Sequence, residues 1–337
     1  MRAVVLTESA VEVAEVADPS PGTGQLLLEV AACGICGTDL HAHSLGIRSG
    51  AVLGHEFAGR VVELGAEVDG FKTGGAVCAM PAMACGQCEF CHRGDVVHCR
   101  TVTTIGLGAA SGGMADLVVT DTATSFVLHP SVDPVIGATV EPMAVALNAM
   151  EKAAMGIDEK LLVIGAGPIG LACVLWAKAL GVDSVVVSDP VAGRREMAMA
   201  CGATGVVDPA AENFVSGVRR ELGGRPDAVI DAAGARGTVD QSFDAAPYEG
   251  RIVIVGLHTA PEQVTVSKGF HKALVLTFSA WYRVKHFRHT VAMMGAGRLD
   301  PTPMVTHRSS LESAPDMFAA LRTPNDYGKV LLVPGVR

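Results

Sequence analysis

The sequence predicts an α/β chain of two domains, a β-rich one followed by a doubly wound parallel sheet. Three observations predict it. From Lys160 onward, apolar runs (LLVIG, SVVVSD, GVVD, DAVIDAAG, RIVIVG, ALVLTFS) alternate with helical stretches such as Ile169–Leu180 and Glu196–Cys201. Apolar strands separated by amphipathic helices require a parallel sheet covered on both faces. Before about residue 130 the texture differs: glycine, cysteine and short β-branched runs at Leu26–Val30, Arg60–Leu64 and Asp116–Thr120 read as an all-β, loop-rich region. Finally, 337 residues, 49% of them hydrophobic, suffice for more than one core.

Taken in order, the chain starts on a strand and a polar turn, MRAVVLTESAVEVAEV, without the basic start, apolar centre and small-residue cleavage site of a signal peptide. A helix begins at Asp133–Pro134, with proline in its first turn. Leu161 to Val182 carries one charge, Lys178, and is apolar enough to suggest a membrane span. Gly165, Gly167, Pro168 and Gly170 interrupt it, so a buried strand, tight turn and buried helix is the better reading. From about Trp281 the elements are mixed, and the closing strand KVLLVP is expected to rejoin the first domain. The expected division is 1–143, 144–280 and a returning 281–337.

The net charge of −9, without a Lys/Arg run or a fixed-period repeat, gives no electrostatic footprint for nucleic acid. A soluble, cytoplasmic protein is expected. Nine cysteines, an odd number, argue against a disulfide framework.

Gly165-Ala166-Gly167-Pro168-Ile169-Gly170 is a GxGxxG turn between a strand and a helix, and Asp189 lies nineteen residues beyond its last glycine at the end of SVVVSD. The first glycine makes the turn, the second admits a pyrophosphate to the backbone, and the third lets helix pack on strand. The phosphates then face a helix N-terminus. Asp189 would accept from the adenosine ribose and repel a 2′-phosphate, favouring NAD over NADP. Arg194 and Arg195 follow closely, and Arg194 is a candidate cofactor contact.

Cys85, Cys88, Cys91 and Cys99 read C-x2-C-x2-C-x7-C, short loops wrapped round one tetrahedral ion. Four thiolates leave no open position, so this is a structural zinc site. Disulfides, a redox pair or an iron–sulfur cluster are weaker readings of it. His92 and His98 flank it and are expected to face solvent.

Cys36 within GICGTDLH, GHEFAG at 54–59, the four-cysteine lobe and the glycine turn occur in that order. This succession resembles the medium-chain zinc alcohol dehydrogenases over essentially the whole chain. Glu141-Pro142-Met143-Ala144-Val145-Ala146 resembles the sorbitol, butanediol and threonine dehydrogenase branch, where a glutamate replaces the cysteine of liver-type enzymes. The resemblance implies a GroES-like β-rich catalytic domain and a Rossmann domain. It also implies hydride transfer between a secondary alcohol or polyol and NAD. Cys36 and His55 supply two donors of an open catalytic zinc site. The resemblance puts Glu56 and Glu141 at the same metal, members differing in which ligates directly. It makes Asp39 the carboxylate that orients the histidine. Cys33 is then a small core residue, and Cys78, Cys173 and Cys201 are packing residues.

Thr38 and His41 match the family's proton relay, hydroxyl nearest the substrate and imidazole nearer solvent, and a histidine titrates close to neutral pH. His43 has no assigned role. The stretch HSLGIRSGAVLGHE is short and lacks a proline common in relatives, which points to an unusual substrate pocket. Arg283, Lys285 and His286, in WYRVKHF, are within reach of the pocket from the returning tail or form a solvated helix face, and the solvated face is the better reading. The apolar strand ALVLTFS, last in the sheet, is an edge that family members pair between subunits, so a homodimer or homotetramer is expected. The alternatives are a primary-alcohol or aldehyde-processing member and a non-catalytic NAD-binding redox sensor. A zinc-free reductase of the same fold would lack these ligands.

Overall fold

The computed structural model describes residues 1–211, 213–323 and 325–336. The later sheet has six parallel strands, in the order Gly205–Val207, Ser184–Ser188, Lys160–Ile164, Ala228–Asp231, Arg251–Ile254 and Val275–Phe278. Chain order reverses at Lys160–Ile164, so the carboxyl end of that strand opens a crevice between diverging crossovers. The stretch that mimicked a membrane span is this strand plus the helix Pro168–Ala179. No helix among the described residues is long and apolar enough to cross a membrane.

The earlier residues form a seven-stranded sheet. Its central strand, Gln25–Gly34, pairs antiparallel with Glu56–Leu64 on one side. On the other side it pairs with Leu117–Asp121 and with the returning strand Lys329–Leu332. Val305–Ser309 lies outside that last strand, and Ala76–Ala79 and Ser125–Val127 extend the opposite side. The closing segment thus returns to the first sheet.

The helix pattern at Asp133 becomes two elements. Asp133 caps the short helix Pro134–Gly137, accepting from the Val135 N–H (3.0 Å), and Val140–Ala153 follows. The expected boundary at 143/144 falls inside this second helix. It is buried along most of its length and lies against Pro168–Ala179, where the Trp176 indole N–H donates to the Met143 carbonyl (2.8 Å). One core cluster runs from Ala58 and Cys78 of the first sheet through these helices to Leu161 and Val253 of the second.

Candidate active site

Strand register builds the first metal site. Gly34 pairs with Glu56, so the loop leaving the end of Gln25–Gly34 meets the residues that begin Glu56–Leu64. Cys36, at the start of the short helix Gly37–Leu40, therefore faces His55 and Glu56, and one donor atom from each of the three lies within 4.8 Å of the others. Asp39 fixes the arrangement. Its Oδ2 accepts from the Cys36 N–H (2.8 Å), and its Oδ1 lies 3.3 Å from His55 Nδ1. Neither of those last two buried atoms has a hydrogen-bond partner among the described residues. One imidazole nitrogen thus faces a carboxylate and the other is left to ligate, the usual support of a zinc-binding histidine.

Charge in the pocket calls for a cation. Burial alone would pull the His55 imidazole down, but Asp39 and Cys36 outweigh it and hold it well above its ordinary value. Thiolate, imidazole and carboxylate are a zinc donor set with room for a fourth ligand.

Glu141 is the second residue of Val140–Ala153 and is buried in the same pocket, outside the set of three. Burial pushes its carboxyl up to about 7; the charge of Glu56 adds to this, and His55 opposes it. Two residues at this site escaped the sequence analysis. Lys329, fully buried, donates from Nζ to both oxygens of Glu56 (2.8 and 2.6 Å) and to the Ile35 carbonyl (3.0 Å). The signal was a lysine opening an apolar strand, where burial demands an acidic partner. Tyr282 is also buried, its hydroxyl without a partner; burial, then the charge of Glu141, pushes the phenol well up. Trp281, at φ 58°, turns the chain just before it.

Thr38 Oγ1 is 3.6 Å from Cys36 Sγ, half-buried, and His41 is exposed three residues later at the helix end. A hydroxyl at the pocket and an imidazole in solvent thus share one short turn. The His43 ring instead bonds the Thr7 carbonyl (2.6 Å). The WYRVKHF segment corrects one expectation. Arg283 and Lys285 are exposed, but His286 is buried and pairs with Glu151, which also binds Lys285. Its Nδ1 accepts from the Arg283 N–H (3.0 Å), and the buried ring is not part of a solvated face.

The four-cysteine lobe closes on itself. Sulfur–sulfur separations are 3.9 Å for Cys85–Cys91, 3.6 Å for Cys88–Cys91 and 3.5 Å for Cys85–Cys99. Four sulfurs about 2.3 Å from one zinc stand about 3.8 Å apart, so the lobe fits the ion. The Cys85 N–H, then Thr101, pull the Cys99 thiol down to about 6, while burial pushes Cys91 up to about 12. His92 and His98 are exposed. Cys33, Cys78, Cys173 and Cys201 are buried.

In the crevice, Gly165 has φ +95°, and a Cβ there would sit 2.9 Å from Ala233 Cα. A Cβ on Gly170 would sit 1.9 Å from the Gly165 carbonyl oxygen, so helix and strand touch. A Cβ on Gly167 would meet nothing within 4 Å. That open space at the start of Pro168–Ala179, beside half-buried Ile169, suits a pyrophosphate. Asp189 is buried; its Oδ2 accepts from the Ala166 N–H and its Oδ1 from the Val191 N–H, both 2.9 Å. Arg194 reaches Asn325 (2.9 Å) with its Nε buried and unpartnered, and Arg195 pairs with Asp208 (3.2 Å).

Residues 22–131 match the family model of the alcohol dehydrogenase GroES-like domain, and residues 168–296 match that of the zinc-binding dehydrogenases. The L-galactonate-5-dehydrogenase of Escherichia coli (strain K12) is 32% identical, over 86% of each chain. The L-threonine 3-dehydrogenase of Pyrococcus horikoshii is 30% identical, over 96% of this chain and 94% of that one. A zinc-binding dehydrogenase from Sinorhizobium meliloti 1021, solved bound to NADP, superposes with a TM-score of 0.89 at 32% identity over 99% of both chains. Motif order, fold and relatives agree: the chain belongs to the zinc-dependent medium-chain alcohol dehydrogenase family, and it is an oxidoreductase that exchanges hydride between an alcohol and a nicotinamide cofactor.

Proposed function

We propose that this enzyme interconverts a secondary alcohol of a polyol-like substrate and the matching ketone, with NAD as its preferred acceptor. The observation that carries the reading is the convergence of Cys36, His55 and Glu56, with Glu141 beside them, in one buried pocket. Two relatives are named for L-galactonate and L-threonine, compounds that carry secondary hydroxyls on polar chains.

Cys36, His55 and Glu56 would hold the catalytic zinc, and Glu141 would serve it directly or through water. Cys85, Cys88, Cys91 and Cys99 would hold the structural zinc. When bound, the catalytic zinc supplies Lewis acidity that makes a substrate hydroxyl more acidic, and NAD supplies the hydride acceptor. The chain does the rest. Asp39 holds His55 in one orientation. Lys329 neutralises Glu56 and restrains how far that carboxylate travels. Thr38 takes the proton leaving the substrate hydroxyl, and His41 passes it to solvent. Gly165, Gly167, Pro168, Ile169 and Gly170 seat the pyrophosphate, and Asp189 selects an unphosphorylated adenosine ribose. Residues 1–143 and 281–337 form the catalytic unit and 144–280 the cofactor unit. The protein works in the cytoplasm.

Assembly follows from an edge. Val275–Phe278 is the last strand of its sheet, with Val275 and Phe278 55% and 67% exposed, and Phe270 on the preceding helix is 81% exposed. An uncovered apolar edge pairs with another chain, and a second copy of this one, giving a dimer or tetramer, is the natural cover.

The deciding experiment supplies the purified enzyme with polyols, sugar acids, amino alcohols and simple primary and secondary alcohols, and follows NADH and NADPH at equal cofactor concentration. Chelator-sensitive NADH formation confined to secondary alcohols is expected. Faster turnover of primary alcohols, or a preference for NADP, the ligand bound in the Sinorhizobium neighbour, would overturn the respective half of the proposal.

A further inference from the structure

The crevice has two arms. Asp189 stands on one side of Lys160–Ile164, at the end of its neighbour Ser184–Ser188. A dinucleotide with its pyrophosphate on the glycine turn and its adenosine at Asp189 must send its nicotinamide riboside the other way. That path crosses the carboxyl ends of Ala228–Asp231 and Arg251–Ile254.

Asp231 closes the first of these strands and is fully buried. Its Oδ1 accepts from the Ala233 N–H (3.0 Å) and its Oδ2 from the Thr238 hydroxyl (2.7 Å). The Val255 and Gly256 N–H groups both bond its carbonyl (2.9 Å each), pinning the loop that leaves Arg251–Ile254 across it. That loop delivers His258, whose Nε2 is sealed from solvent 3.5 Å from Asp231 Oδ2, without a hydrogen bond among the described residues. A carboxylate only accepts, so the ring proton belongs on Nε2, and Nδ1 remains an acceptor. Nothing in the catalytic zinc pocket uses this pair.

We propose that His258 binds the nicotinamide riboside of the cofactor, its Nδ1 accepting from a ribose hydroxyl, with Asp231 as the positioning residue that fixes tautomer and ring plane. The proposal rests on the dinucleotide reading of the glycine turn and names the contact on its far arm. His258 thereby mirrors Asp189: each recognises one ribose, on either side of the switch point.

Calorimetric titration of the zinc-loaded enzyme with NADH, ADP-ribose and AMP tests this without turnover. AMP fills only the adenosine arm, whereas NADH and ADP-ribose reach both. His258→Ala is expected to weaken NADH and ADP-ribose about tenfold and leave AMP unchanged. His258→Asn, which keeps an acceptor, should recover part of the loss. Asp231→Asn should shift the NADH-to-AMP affinity ratio in the same direction and raise the KM for NAD more than it lowers kcat. Unchanged NADH affinity in His258→Ala, or an equal loss for AMP and NADH in both alanine and asparagine variants, would overturn the proposal alone. Wild-type enzyme that binds none of the three nucleotides would overturn the dinucleotide reading beneath it.

Discussion

Cys36 and His55 are nineteen positions apart, and only the Gly34–Glu56 pairing turns them into neighbours. Replacing one donor should empty the site without unfolding the sheet. Cys36→Ser is expected to drop total zinc from two per chain to about one, by metal analysis, and to remove more than about 99% of turnover. Normal turnover in that variant would refute the metal assignment. The relay is tested separately. His41→Gln should lower turnover most on the acidic side, with partial rescue by small added bases, since an exposed imidazole is replaceable by a diffusing one. A pH profile matching wild type would remove His41 from the proton path. Asp189 shapes the crevice, its two oxygens holding the Ala166 and Val191 N–H groups, and the proposed function makes it the residue that selects the cofactor. Asp189→Ala is expected to narrow the preference for NAD over NADP by about tenfold or more in kcat/KM. An unaltered ratio would mean that selectivity lies elsewhere.

Two helices carry the junction between the sheets. Val140–Ala153 brings Glu141 to the metal pocket with its first turn and packs against Pro168–Ala179 with the rest. Trp176 lies at their contact, fully buried, hydrogen-bonded to the Met143 carbonyl and stacked on His289. Trp176→Ala should cost about 3–5 kcal/mol in urea unfolding, from lost burial and an unfilled cavity. A loss below about 1 kcal/mol would show that the junction repacks freely. At the other end of the chain, Arg2 on the strand Arg2–Leu6 binds Asp116 through its guanidinium (2.7 Å) and its backbone N–H (2.7 Å). Burial alone would raise the Asp116 carboxyl, but these bonds outweigh it and hold it below its ordinary value of 3.8. A depressed carboxylate contributes stability that is complete above that ordinary value and is lost as pH falls through the lower folded one. Asp116→Asn should therefore cost about 1 kcal/mol at pH 7 and lose less further stability than wild type under acid. Parallel acid titrations of the two unfolding midpoints would contradict the linkage.

On the scale of the molecule, the edge strand Val275–Phe278 and the nearby Phe270 leave apolar side chains exposed. Light scattering should give at least twice the 34.7 kDa of one chain. A charge placed in the edge, as in Leu276→Lys, should shift the protein toward monomer by setting like charges against each other across the pairing. A wild-type mass equal to the single chain would show that the edge is covered in some other way.

Periodicity and spacing were enough for everything local. The six apolar runs became the six parallel strands because a strand buried on both faces must be apolar throughout. The glycine turn was legible because each glycine answers to a steric need within a few residues of itself, and the cysteine lobe because fifteen residues hold all four sulfurs. Cys36, His55 and Glu141 were found through a recognised succession of motifs, since no local rule joins positions so far apart. The partners of Lys329 and Tyr282 were out of reach for the same reason. Lys329 and Tyr282 lie in the returning segment, and each acquires its meaning from a partner, Glu56 or Glu141, that only strand pairing and helix packing bring to it. His286 shows the converse. Its neighbours in sequence suggested solvent, and the tertiary fold buried it against Glu151, because burial is decided by what packs on an element from outside.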